Sequence, residues 1–145
     1  MLVKLSPQQL ADHVRHVMFA VDRASTALGM AITHMAPGRA TLTMAVREDM
    51  LNAADVCHGG LITTLADSAF AYACNSRNLL NVASGLSTDF MGSGLLGEVL
   101  TADAVEGVVK GDTGVYDVVV RNQNNRFIAT FRGLSQRMKV RHTCP

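Results

Sequence analysis

Leu61, Ile62, Leu65, Ala66, Ala69, Phe70, Ala73 and Cys74 recur at helical spacing and coat most of a helix running roughly from His58 to Arg77. A helix apolar over most of its circumference belongs inside a fold, and the rest of the chain has to wrap it. The segment from Asn52 through Val56-Cys57-His58-Gly59-Gly60 reads as a tight turn feeding this helix. Asp67 stands in mid-helix, with Gly60, Thr63 and Thr64 on its own face by the three-and-four spacing. No Lys or Arg lies one turn away on either side. Desolvating an unpaired carboxylate is costly, so Asp67 needs a partner from elsewhere or a chemical purpose.

The helix start supplies a complement. Gly59-Gly60 lets the backbone approach a ligand closely. The unused N–H groups and positive dipole end of a first turn favour an anion. A developing oxyanion held there gains roughly a hundred- to a thousandfold in rate per donor. Gly59 and Asp67 lie about 12 Å apart along the axis, too far to serve one carbonyl within a single helix. A second copy of the helix, packed antiparallel across a two-fold axis, would set one chain's Asp67 beside the other's Gly59. A hydrolytic site here therefore implies an isologous dimer.

His58-Gly59-Gly60, four residues, Leu65, one residue and Asp67 resembles the motif of the hot-dog-fold acyl-CoA thioesterases. The run from Ala66-Asp67-Ser68 to Asn75-Ser76 is similar to the PaaI-type thioesterases of phenylacetate degradation. So are Thr113-Gly114-Val115-Tyr116-Asp117 and Phe131-Arg132-Gly133. The resemblance covers most of the chain beyond about residue 10. It implies an α+β hot-dog fold and hydrolysis of an acyl-CoA whose acyl group is phenylacetyl or hydroxyphenylacetyl. Asp67 would be nucleophile or general base, and Gly59 the backbone donor supported by Gly60. Asn52 would place a side-chain amide beside the thioester, and Ser84 would lie near the hydrolytic water. Thr64, on the Asp67 face, is placed with Gly60 and Ser84 against the substrate. Coenzyme A enters only as part of the substrate, and no metal or redox cofactor is implied. Tetramers built as dimers of dimers occur in the family.

Each of these residues has a plainer reading. Asp67 could be bonded to Thr63, Thr64 or a backbone group across an interface. Asn52 is a common turn residue, and His58 could cap the helix rather than touch substrate. A Cys57-His58 thiol dyad is disfavoured because members of a dyad usually come from separate elements. Cys57, His58, His142 and Cys144 are too scattered for a zinc site. Arg77, Arg126, Arg132 and Arg137 could meet coenzyme A phosphates or be solvated surface charge. Phe70, Tyr72 and Phe90 are candidates for the wall of the acyl pocket.

At 145 residues the chain is one domain's worth, with a net charge of +1 that gives no electrostatic case for nucleic acid or a membrane surface. Its 48% apolar content with no Trp suits burial in an oligomer. Met1-Leu2-Val3-Lys4 does not begin a secretory signal, and no apolar run nears the roughly 20 residues of a membrane span. Three cysteines without metal-ligand spacing suggest a reducing cytoplasm.

Ser6-Pro7-Gln8-Gln9 reads as a capping box opening a helix that ends near Asp22 or Arg23, with His13 and His16 on or beside its polar side. Strands are expected over 28–35, 39–46, 82–90, 97–109, 115–121 and 126–138, the last three as an antiparallel meander. The glycines at 92, 94 and 97 would let the sheet bend rather than bind phosphate. Asn75 to Asn81 reads as a polar exit, and 139–145 as a flexible tail. Two rival functions keep the same fold: a non-catalytic acyl-CoA-binding module, and a dehydratase or hydratase, whose His–carboxylate motifs are not found here.

Overall fold

A computed structural model describes residues 4–141, the side chain of Arg141 excepted. Helix α1 spans Pro7–Val21, opened by the reciprocal capping box of Ser6 and Gln9. It does not run on through Arg23. The Asp22 carboxylate accepts the Ser25 N–H at 3.0 Å and starts a separate short helix, α2 (Arg23–Ala27). Its other oxygen accepts the Tyr72 hydroxyl at 2.9 Å, so one acidic side chain ties the α1–α2 corner to the central helix.

Strands β1 (Ala31–Ala36) and β2 (Arg39–Ala45) form a hairpin turned at Gly38, whose φ of 73° favours glycine. Helix α3 spans Gly59–Asn75, followed by β3 (Leu79–Phe90), β4 (Val99–Lys110), β5 (Thr113–Arg121) and β6 (Phe127–Arg141). The six strands make one antiparallel sheet in the order β1-β2-β4-β5-β6-β3, and α3 packs along its inner face. This is the α+β architecture expected from the sequence: a long helix wrapped by a curved sheet, with an extra N-terminal helix.

The core is built by period. Leu42, Met44, Leu100, Ala102, Val118 and Val120 alternate inward along their strands and meet Ile62, Leu65, Ala66 and Ala69 of α3. Each large buried side chain of this kind contributes roughly 1.5–3 kcal/mol relative to exposure. Gly133 has a packing reason: a Cβ there would sit 2.8 Å from the Phe70 ring, so glycine lets α3 approach β6.

Two expectations at the C-terminal side of α3 need correction. The polar exit is shorter than 75–81, because β3 begins at Leu79 rather than Val82, and the Asn81 N–H donates to Asn75 Oδ1 at 2.8 Å. The expected tail at 139–145 starts as strand instead. Strand β6 continues to Arg141, pairing with Leu79. Residues 142–145 lie outside those described. No described helix is long and apolar enough to cross a membrane.

Candidate active site

Short backbone contacts lock the turn before α3. The Cys57 N–H donates to Gly94 O and the His58 N–H to Met50 O, both at 2.8 Å. Asn52 closes the loop on itself: its N–H donates to Val56 O, while its Oδ1 accepts from the Ala54 N–H at 2.9 Å and the Val56 N–H at 3.3 Å. The turn role of Asn52 is thus real, and its Nδ2 amide has no acceptor among the described residues. Both functions fit on one side chain.

His58 is the N-cap of α3, its Nδ1 accepting the Gly60 N–H at 3.0 Å. That bond occupies Nδ1 and uses Gly60's amide, leaving Gly60 to support the turn rather than donate to substrate. The next donor along, the Gly59 N–H, has no acceptor among the described residues. A helix start with one amide spent on its cap and one unspent offers the kind of donor an anion needs.

Asp67 is half-buried and makes no hydrogen bond or ion pair with any described residue. Its two candidate partners are otherwise engaged. Thr63 Oγ1 donates to Thr88 Oγ1 at 3.1 Å, and Thr64 Oγ1 to Gly60 O at 2.8 Å. Burial pushes the Asp67 carboxyl above the usual aspartate range. Thr64 is therefore a helix-backbone residue in this structure, with no hydroxyl proton left for substrate.

Helix and strand run side by side in opposite directions here. Gly59 lies against Phe90, and Thr63 bonds to Thr88. One further helical turn, about 6 Å, matches two strand residues and brings Asp67 level with Leu86. These contacts with β3 are what sequence reasoning missed. Ser84 lies exposed in a bulge of β3, its Oγ donating to Leu134 O at 3.3 Å.

Two of the three expected wall residues fall away. Phe70 and Tyr72 are buried in the core, Phe70 against Tyr116 and Phe131, Tyr72 against Asp22, so neither lines an open pocket. Phe90 alone of the three is open. Burial pushes the Cys57 thiol up, away from the reactive thiolate. Arg77, Arg126 and Arg132 are engaged by Glu106, Glu98 and Asp117 respectively, while Arg137 Nε is buried with no acceptor among the described residues. No cluster of three metal-ligating side chains occurs among the described residues, and His142 and Cys144 lie outside them.

A family model described as thioesterase superfamily matches residues 54–129, which include the turn, α3 and Asp67. The chain belongs to the thioesterase superfamily. Over 123 residues, 85% of this chain and 88% of its relative, this thioesterase is 46% identical to the acyl-coenzyme A thioesterase PaaI of Escherichia coli. The structure of the E. coli PaaI protein from the phenylacetic acid degradation operon superposes with a TM-score of 0.92 at 43% identity, covering 94% of this chain and 99% of that one. A hypothetical thioesterase protein with coenzyme A from Streptococcus pneumoniae superposes with a TM-score of 0.79 at 26% identity, covering 88% and 98%. The thioesterase fold is the PaaI-type hot-dog fold.

Proposed function

We propose that the chain hydrolyses coenzyme A thioesters of arylacetic acids, phenylacetyl or hydroxyphenylacetyl in kind, at a site shared by two copies. The observation that carries this reading is the unpartnered, half-buried Asp67 on a helix whose unspent Gly59 N–H lies about 12 Å away. The E. coli relative is an acyl-coenzyme A thioesterase, and the streptococcal one holds coenzyme A.

Two features favour a second copy beside α3. The helix leaves a stripe of small and polar residues incompletely buried, at Gly60, Thr64, Asp67 and Ala71, over which another helix could pass closely. Among the described residues strand β3 has a ladder partner only in β6, and its twelve residues end the sheet as an edge that a second β3 could continue. With β3 paired to its two-fold mate, the helices lie antiparallel and each Asp67 faces the other chain's Gly59.

In that arrangement the thioester oxygen accepts the Gly59 N–H of one chain while Asp67 of the other works at the carbonyl carbon. Asp67 either takes the proton of the attacking water or attacks directly, forming an anhydride that water then opens. Both routes end with the C–S bond broken, a free acid, and coenzyme A leaving as the thiol. Asn52 and Ser84 are assigned to the thioester and water sides, and His58 to holding the turn.

Either role needs Asp67 ionised, which fixes the pH behaviour. The acid limb of kcat/KM should have its midpoint above the ordinary aspartate range, because burial disfavours the charged form. The same shift has a stability sign. A carboxyl whose folded pKa is raised favours folding below its unfolded pKa and loses that contribution as pH rises through the folded value. Asp67→Asn should therefore gain stability over the wild type as pH rises from acid to neutral, read as a widening gap in denaturant midpoint. A gap independent of pH would mean that folding leaves the Asp67 pKa unshifted, and a narrowing one that a partner stabilises its charged form.

The test of the function is a hydrolysis screen over coenzyme A thioesters from acetyl and butyryl to phenylacetyl and ring-hydroxylated phenylacetyl. Arylacetyl thioesters should give the highest kcat/KM. Release of coenzyme A from none of them would end the hydrolytic reading.

A further inference from the structure

Phe90 is the last residue of β3, and its ring sits directly on the helix start. A Cβ built on Gly59 would meet three ring atoms at 2.9, 3.3 and 3.5 Å, so the ring is in van der Waals contact with the Cα next to the unspent N–H. Yet in the single chain Phe90 is 54% exposed, although it stands on the sheet face that carries α3, so its free surface faces the cleft that the second copy would complete. Thr88 shares that face and is fixed by its bond to Thr63; Leu86, the next residue on it, is 48% exposed. Beyond Phe90 the strand is held in place, since the N–H groups of both Met91 and Gly92 donate to Ile128 O.

From these contacts we infer that Phe90 is the residue that selects the acyl group: its open surface is the wall against which an aromatic acyl chain lies. The inference rests on the hydrolytic reading above for the position of the carbonyl. An oxygen on the Gly59 N–H leaves its carbonyl carbon within a few ångströms of the ring, and only an apolar substituent gains from that neighbour. The amide-bearing pantetheine arm gains little there. An arylacetyl group adds a ring–ring contact that a short straight chain lacks.

Phe90→Leu keeps an apolar side chain on Gly59 and removes the ring; Phe90→Tyr keeps the ring. With Phe90→Leu, the ratio of kcat/KM for phenylacetyl-CoA to that for butyryl-CoA should fall about tenfold, and Phe90→Tyr should retain the wild-type ratio. The non-hydrolysable thioether analogues of the same two compounds should show the same split in binding. An equal loss on both compounds, or no loss on either, would overturn the inference by reducing Phe90 to a packing residue. Should the wild type hydrolyse no thioester, the hydrolytic reading fails by itself. The thioether binding split then still decides the role of Phe90.

Discussion

Asp67→Asn should lower turnover of a coenzyme A thioester by about a hundredfold or more, with binding of coenzyme A and the folded state retained. The substitution keeps size and shape, and it removes only the charge. No described residue donates to the carboxylate, so no hydrogen bond of this chain is lost with it. The expected rate loss therefore reports chemistry rather than collapse. Stopped-flow or thiol-release kinetics at saturating substrate, alongside calorimetric binding of coenzyme A, give the two readouts. Unchanged turnover would leave Asp67 outside the reaction. A hot-dog module that only binds acyl-CoA would show no turnover before the substitution and the same affinity after it.

The features on which this prediction rests were legible because they are local or incongruous. An acidic residue in an apolar helical run announces itself, and so does a Gly-Gly pair at the start of that run. The α1 capping box needs only residues three apart, and the strands of the β4–β5–β6 meander show their alternation in single segments. What remained hidden depends on contacts between distant segments. Helix α2 exists because the Asp22 side chain turns to cap it, and the length of β6 is set by how far β3 extends to meet it. The placing of Tyr72 was recoverable in principle, since five positions on from Asp67 is about 140° round a helix, away from the Asp67 face. The Phe90–Gly59 and Thr88–Thr63 contacts had no such signal. They require knowing which strand flanks the helix and in which register.

The shared site makes a prediction that a self-contained site cannot mimic. A Gly59→Val chain forces a branched side chain into the Phe90 ring, already 2.9 Å from where a Cβ begins, and displaces the donor amide. Homodimers of Gly59→Val and of Asp67→Asn should each be inactive to within about one per cent of the wild type. When the two chains are co-expressed and pair at random, half the dimers are mixed. In each mixed dimer one site combines the intact Asp67 of the Gly59→Val chain with the intact Gly59 of its partner, and the other site carries both defects. About a quarter of wild-type activity should return. Placing both substitutions on one chain and pairing it with a wild-type chain spoils each site of the mixed dimer once, so random pairing again leaves about a quarter, all of it from wild-type homodimers. Tagging the two chains separately and purifying the mixed dimer sharpens the contrast. The trans arrangement should keep about half the wild-type rate per dimer and the cis arrangement almost none. If the site lay within one chain the order would invert, because only the cis pairing would then contain an undamaged copy. The sign of that difference decides whether the Asp67 carboxylate and the Gly59 amide that meet at a thioester belong to different copies of α3.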